Sequence, residues 1–383
     1  MQAVILAGGE GYRLRPLTRS HPKVMLPVAN RPIIDYVIEA LVKNGIRDII
    51  IVAGYRHEQL IRYLNDLDIN VKIAVQKKQL GAADALMCAK DMISGDFLLL
   101  PGDNYIDAES ISRIKNEKNA MLVAKHPYPS NYGVVETENG FVKEIVEKPE
   151  VSGDMTVSTG IFSLSRDFTE FLSGYQIPDA ISSMVKHGMK IKAIAAAGWH
   201  DAIYPWDLLV MNKITLEYAK NFLSGEISRN SVISGKVSIG RGSKVSPFAV
   251  IIGPVVIGED SYIGPNTCIM PYTSIGSRVR VEPFTCVENS VIMSDSIIGS
   301  HSKVEKAVIG EGSVLSDHTS VVPGIYLNET DGKIIKGEFG AVIGEGTYSA
   351  PFTVYSHCVV GNMSRVETGR VIEGSLPDNT IVR

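Results

Sequence analysis

Residues 6–27 read LAGGEGYRLRPLTRSHPKVMLP, in which Gly8, Gly9 and Gly11 are followed by Arg13, Arg15, Arg19 and Lys23. Glycines allow backbone N–H groups to point into a concavity that holds an anion. A guanidinium at Arg13 can fork onto phosphate oxygens, and Lys23 adds a compact point charge. The chemistry this set can do is to cradle a phosphate. It is neither of two common nucleotide loops: GGEGYR lacks the third glycine of G-x-G-x-x-G, and G-x-x-x-x-G-K-[ST] does not occur. Arg15 and Arg19 read equally well as solvated charges of a basic loop ahead of a helix.

The elements that must position this loop alternate up to about residue 222. AVILA (3–7) is a strand leading into the loop, and a helix follows over about 33–44, with Pro32 at its start and Gly45 as its stop. DIIIVAG (48–54), VKIAV (71–75), FLLLPGDN (97–104) and AMLVAK (120–125) read as strands. Helices are expected at about 57–65 and over ALMCAKDMI (85–93), and Asn139-Gly140 marks a β-hairpin in VVETENGFVKEIVEKP. This order predicts an α/β domain over 1–222, with a mainly parallel, Rossmann-like mixed sheet covered by helices on both faces. Ligands of such sheets bind at the carboxyl ends of the strands. The glycine loop, Asp103 and Asp201 all fall there.

From residue 223 to 383 the rhythm changes. Ile233, Ile239, Val245, Ile251, Ile257, Ile263, Ile269, Ile275, Val281 and Val287 are β-branched residues spaced six apart, several followed by glycine. An inward β-branched residue and a glycine-permitted corner every six residues describe a parallel β-helix with three sides per coil. The pattern runs on through Ile292, Ile298, Val304, Ile309, Leu315 and Val321, and breaks at 323–340, which reads as a projecting loop. It returns with Val342, Tyr348, Val354, Val360, Val366 and Ile372 as the expected inward residues.

Bulk properties narrow the partners. The 383 residues carry a net charge of −4 with no basic block, which argues against nucleic acid and anionic membranes. The four cysteines, Cys88, Cys268, Cys286 and Cys358, lack CxxC spacing and read as reduced thiols. The amino terminus has no basic n-region, and no apolar stretch reaches transmembrane length, so a soluble, cytoplasmic protein is expected.

LAGGEGYRLRPLT…PKVMLPVANRPII resembles the signature of the sugar-1-phosphate nucleotidylyltransferases. QKKQLGAADAL (76–86), LPGDN (100–104), NYGVVE (131–136), VEKP (146–149) and STGIF (158–162) follow in the family's order. The six-residue repeats resemble the left-handed β-helix of two-domain members, including the bifunctional uridylyltransferase/acetyltransferase of UDP-N-acetylglucosamine synthesis. The resemblance implies a Mg²⁺-dependent reaction of UTP or dTTP with a hexose 1-phosphate, either glucose 1-phosphate or N-acetylglucosamine 1-phosphate, releasing pyrophosphate. It implies Arg13 on the pyrophosphate and Lys23 near the α-phosphate. Asp103 is implied as one metal ligand and Asp201, in GWHDAIYPWDLL, as the second, with Asp207 as the fallback.

By the same resemblance, Leu6, Ala7, Gly8, Gly9 and Gly11 flank the nucleotide, Gln76 and Gly81 read the base, and Ala82 stands where threonine is common. A glutamine amide offers one donor and one acceptor to a pyrimidine edge. Gly133 admits the hexose, Glu147 accepts from sugar hydroxyls, Lys148 neutralises the sugar phosphate, and Ser158 replaces a common asparagine. The β-helix is expected to assemble trimers. A second activity there, acetyl transfer from acetyl-CoA, would use His301, His318 and Asn328. His301 and His318 are expected to stack one coil apart, with a zinc site completed by His357 of another subunit as a further reading. A non-catalytic nucleotide-sugar sensor or assembly subunit is the alternative outside catalysis.

Overall fold

The structure is a computed structural model describing the 383 residues except 68, 173, 175, 331 and 332. Two of these, 331 and 332, belong to the expected projecting loop, and that part of the expectation lies outside the described residues. The chain divides into two compact units. The first comprises Met1–Gly11, His21–Met25 and Pro32–Asp201, and the second Tyr12–Ser20, Leu26–Arg31 and Ala202–Arg383.

The first unit is built on strands β1 (Gln2–Ala7), β2 (Asp48–Ala53), β3 (Val71–Val75), β4 (Phe97–Pro101), β5 (Ala120–His126), β6 (Gly133–Glu138), β7 (Phe141–Glu147), β8 (Met155–Leu164) and β9 (Lys192–Ala195). They form one sheet in the order β3-β2-β1-β4-β8-β5-β9-β7-β6. β3, β2, β1 and β4 are parallel neighbours, whereas β8 runs antiparallel to both β4 and β5. Residues of β1 alternate between two cores: Ala3, Ile5 and Ala7 join one, Val4 the other. Burial on both faces is why these strands read as unbroken apolar runs. Helices α1 (Ile33–Lys43), α2 (His57–Asn65) and α4 (Ala108–Ile114) contribute to the first core, and α3 (Ala82–Cys88) and α5 (Ile177–Lys186) to the second. The expected hairpin forms β6 and β7, turning at Asn139 (φ 52°) and Gly140 (φ 81°). The helix expected at 85–93 instead starts at Ala82, directly after Gly81 at φ 130°, and ends at Cys88 before a short 3₁₀ turn at Lys90–Met92.

The second unit is a left-handed parallel β-helix with three ladders of short strands. Val232, Val250, Cys268 and Cys286 occupy one register position on successive coils, so a coil there takes eighteen residues. The following steps, Cys286 to Lys303 and Lys303 to Ser320, take seventeen. The six-residue β-branched series forms the interior, where Ile251, Ile257, Ile263, Ile269 and Ile275 are fully or almost fully buried. Some buried corner hydroxyls bridge successive coils: Ser261 Oγ donates to Gly276 O (2.9 Å) and accepts from Val279 N–H (3.1 Å), while others, such as Thr267 Oγ1 to Gly264 O (2.8 Å), close their own turn.

After the interruption the expected inward positions are displaced by one residue. Ile343, Ser349 and Tyr355 align with Ile309, Leu315 and Val321, whereas Tyr348 is 40% exposed. Val342 is buried but belongs to the outward column, paired with Val308. The five-residue step falls between Tyr355 and Val360, which restores the expected phase at Val360, Val366 and Ile372.

The interruption is a ribbon, Gly324–Thr330 antiparallel to Lys333–Phe339. Its Phe339 ring stacks on Trp206, with centroids 4.8 Å apart, and Trp206 stacks in turn on Tyr204. A Cβ at Gly337 would lie 2.8 Å from the Trp206 ring, so glycine is required for this contact. Helix α6 (Asp207–Leu216) also belongs to this unit, and Asn212 on it is fully buried. Asn212 accepts from Ala29 N–H and donates to Tyr272 O, both at 2.8 Å.

Candidate active site

Because β3, β2, β1 and β4 are parallel and in register, the residues just past their carboxyl ends converge. Ala7 aligns with Ala53, Ala53 with Val75, and Leu6 with Pro101. Gly8, Gly54, Gln76 and Gly102 come next. Gly8 and Gly54 pack backbone against backbone: a Cβ on Gly54 would fall 2.6 Å from Gly8 O and 2.7 Å from Gly8 Cα. Tyr55 N–H donates to Gly8 O (3.1 Å) and Gly102 N–H to Leu6 O (2.8 Å), fixing the glycine loop at its root.

A cleft of 490 Å³ opens over these ends, lined wholly from the first unit. Leu6, Gly8, Gly9, Gln76, Gly81 and Ala82 form one part of its wall. Gly133, Glu147, Lys148 and Ser158 form another, with Asp103 and Asp201 also on the lining. Ala7 is buried in the core at the end of β1, and Gly11 sits at φ 66°.

Lys23, Asp103 and Asp201 make up the charged centre. Asp201 lies on the short strand Trp199–Asp201, which pairs antiparallel with Asn104–Ile106 and sets Asp201 opposite Asn104. The Lys23 ammonium forms an ion pair with Asp103 and lies 3.5 Å from Asp201 Oδ1. Burial alone would lower the Lys23 pKa, but the two carboxylates outweigh it and hold the group well above the usual lysine value. Lys23 is therefore a fixed cation. Two half-buried carboxylates converging on one positive charge are the donor set that a Mg²⁺ ion accepts, with substrate phosphates and water completing its shell. Among the described residues, no group of three or more His, Cys, Asp or Glu is arranged to hold a metal.

On the Gly133 wall, a Cβ at Gly133 would lie 3.1 Å from Glu147 Oε2, so glycine leaves the space in front of that carboxylate. Lys148 Nζ lies 3.2 Å from Glu147 Oε1. Ser158 Oγ accepts from Gly160 N–H (3.2 Å). Its hydroxyl is thereby held within its own turn.

Gln76 departs from expectation. Its Nε2 donates both to Gly81 O (3.1 Å) and to Asp84 Oδ2 (2.8 Å), so the amide presents only an acceptor, not a donor and an acceptor. Sequence reasoning also left out Asp84, Asn104, Tyr132 and Trp199. Asp84 and Asn104 lay inside stretches already singled out, QKKQLGAADAL and LPGDN. Trp199 and Asp201 line the cleft, whereas His200 between them does not, as strand alternation requires. His200 and Trp199 each bury a ring nitrogen without a hydrogen-bond partner. Burial first, and the neighbouring His126 second, push the His200 pKa down to about 4.

Arg13 belongs to the second unit, exposed on the 3₁₀ turn Tyr12–Leu14, where its charge acts on the Tyr204 hydroxyl. In that unit the loop is tied to the β-helix. Arg19 pairs with Asp378, Ser20 with Glu345, and Asn362 Nδ2 donates to Pro16 O (3.0 Å). Arg15 stacks over the Tyr12 ring. Asp207, the fallback ligand, caps the turn ahead of α6 by accepting from Ile203 and Tyr204 N–H.

His301 and His318 stack with ring centroids 5.1 Å apart and an interplanar angle of 6°, between Phe284 below and Phe352 above. Asn328 lies in the ribbon, which leaves the coil after Ser320–Val322, one corner beyond the one that carries His318. His357 contacts Ser356 Oγ (2.9 Å) and packs on Gly324 at that other corner.

One chain thus joins a doubly covered α/β sheet, with a glycine loop, a fixed lysine and paired aspartates at its strand ends, to a β-helix. A model of the nucleotidyl transferase family matches residues 2–214, and one of the GMPPB C-terminal domain matches 251–382. The chain belongs to the nucleotidyl transferase family. It is 34% identical over 262 residues to the bifunctional protein GlmU of Methanococcus maripaludis, spanning 64% of this chain but only 62% of that protein. With GlmU of Methanococcus aeolicus the match is 33% over 363 residues, 90% of this chain and 87% of that one. The UTP–glucose-1-phosphate uridylyltransferase AglF of Haloferax volcanii is 34% identical over 54% of this chain and 93% of its own. Among solved structures, a putative glucose-1-phosphate thymidylyltransferase from Bacillus anthracis in complex with a sucrose is similar. Its TM-score is 0.52 at 26% identity, covering 58% of this chain and 98% of that one. No helix among the described residues is long and apolar enough to cross a membrane.

Proposed function

We propose that this chain transfers a uridylyl or thymidylyl group from UTP or dTTP to a hexose 1-phosphate, glucose 1-phosphate or N-acetylglucosamine 1-phosphate. A sugar-phosphate oxygen attacks the α-phosphorus, the new P–O bond forms, and the bond to the β-phosphate oxygen breaks to release pyrophosphate. Two polyanions must meet, so catalysis is chiefly positioning and charge neutralisation. Lys23 is held ready for the α-phosphate by Asp103 and Asp201. Arg13, exposed on the turn following the glycines, neutralises the leaving pyrophosphate. Asp103 and Asp201 would hold Mg²⁺, which supplies electrophilic neutralisation of phosphate oxygens when bound. Glu147 accepts from sugar hydroxyls over Gly133, and Lys148 balances the sugar phosphate.

The observation that carries this reading is the pairing of Lys23 with Asp103 and Asp201, two carboxylates that line the same cleft as Gly8 and Gly9. A sensor or scaffold has no use for that set. The β-helix serves as an assembly scaffold in this reading, trimeric by expectation. Its two stacked histidines are members of a ring ladder rather than the base of an acetyl-CoA-dependent acetyltransferase. Pyrophosphate release, assayed with each of four triphosphates against a panel of hexose 1-phosphates in Mg²⁺, tests the proposal. Turnover restricted to UTP or dTTP is expected. No turnover with any pair, from folded protein, would leave the sensor reading in its place.

A further inference from the structure

The side chain of Gln76 is 4% exposed and closes the cleft at the end of β3. Its main chain extends the sheet by one bond, Gln76 N–H to Ala53 O at 2.8 Å, so the side chain leaves from rigid backbone. The two groups that receive Gln76 Nε2 are a carbonyl, Gly81 O, and a carboxylate oxygen, Asp84 Oδ2. Both are acceptors only. Turning the amide over would set Oε1 against two oxygens, so chemistry fixes which end is nitrogen. The remaining end, Oε1, stands over the glycine loop, 2.8 Å from where a Cβ on Gly8 would be. Both N–H groups of Gln76 are thus engaged, and only an acceptor faces a base in the cleft.

Uracil and thymine carry a ring N–H at N3 and satisfy that acceptor. Cytosine has a lone pair at N3. To meet Oε1 it must slide until its exocyclic amino group takes the place of N3, which displaces the ribose and the α-phosphate. Guanine also carries a ring N–H, so this acceptor separates uracil and thymine from cytosine by hydrogen-bond polarity, not from guanine. We propose that Asp84 is the positioning residue for base selection: by holding the amide of Gln76 in one orientation, it makes the site accept uracil or thymine and reject cytosine. This rests on the pyrimidine-nucleotide reading given above. Asp84 itself does not line the cleft.

The test compares kcat/KM for UTP, dTTP and CTP at a fixed hexose 1-phosphate in the wild type and in Asp84→Ala, Asp84→Asn and Asp84→Glu. In the wild type UTP or dTTP is preferred over CTP by about 100-fold, the scale set by mismatched buried polar groups. Asp84→Ala leaves one N–H of Gln76 free to turn toward the base, and the preference falls at least tenfold, mainly through a higher KM for UTP. Asp84→Asn, which keeps the shape, lowers it less, and Asp84→Glu, which keeps the carboxylate, restores most of it. An unchanged UTP to CTP ratio in folded Asp84→Ala and Asp84→Asn overturns the inference while leaving the transferase reading intact. A loss of kcat or stability at constant ratio would assign Asp84 a purely structural role and also overturns it. A wild type that turns over no triphosphate overturns the transferase reading, and this one with it.

Discussion

Gly54 offers a test of the site's architecture from outside the cleft. It does not line the cleft, yet a Cβ there would meet Gly8 O at 2.6 Å, Gly8 Cα at 2.7 Å and Gly8 C at 3.0 Å. All three are backbone atoms, so no side chain can rotate away. Reaching the 3.4 Å at which ordinary contact begins requires Gly8 to move by about 0.8 Å. That movement breaks the Tyr55 N–H bond to Gly8 O and carries the glycine loop with it. Misplacement by about 1 Å costs on the order of 10²-fold in rate, and overpacking at one methyl costs about 1–3 kcal/mol. Gly54→Ala is therefore expected to lower kcat/KM for pyrophosphate release about 100-fold while the protein still folds, as judged by circular dichroism and urea titration. Gly95→Ala, whose Cβ would meet nothing within 4 Å, is the matched control and should be silent. Activity of Gly54→Ala within threefold of wild type would refute the argument that strand-end packing places the loop.

Two further outcomes follow from buried polar groups. His200, with its folded pKa near 4, stays neutral where the unfolded chain at about 6.5 takes up a proton. Its contribution is present above pH 6.5 and is lost as pH falls towards 4, about 3 kcal/mol in all; His200→Gln should flatten the urea-stability slope over that window, and an unchanged slope would contradict it. Asn212→Leu should destabilise the second unit by about 2–4 kcal/mol, since Ala29 N–H and Tyr272 O both lose their partner in a buried setting. A urea midpoint equal to wild type would show those groups paired elsewhere.

Much of the architecture was legible because burial on both faces gives strands an unmistakable apolar signature. VKIAV was located to the residue, and the period of six exposed the coils. Phase was harder than period. Seen alone, Val342, Tyr348 and Val354 are as acceptable inside a coil as Ile343, Ser349 and Tyr355, and only pairing with Ile309, Leu315 and Val321 decides. The helix expected over ALMCAKDMI lies earlier, at 82–88, because Gly81 at φ 130° starts it. At the site, the aspartates and Lys23 were readable as types, but the orientation of Gln76 was not. It depends on Asp84, eight residues on, which α3 brings back against the strand end. Nor does sequence reveal that Tyr12–Ser20, in the middle of the basic loop, is bound to the last coils through Arg19 and Asp378.

Phosphorus-31 magnetic resonance of wild-type protein incubated with UTP, glucose 1-phosphate and Mg²⁺ addresses the central claim most directly. The triphosphate and phosphomonoester signals are expected to decay together, replaced by those of a sugar-linked diphosphate and free pyrophosphate, and Asp103→Asn to slow this at least 100-fold. Persistence of both substrate signals with N-acetylglucosamine 1-phosphate and dTTP tried as well, or release of inorganic phosphate alone, would contradict it.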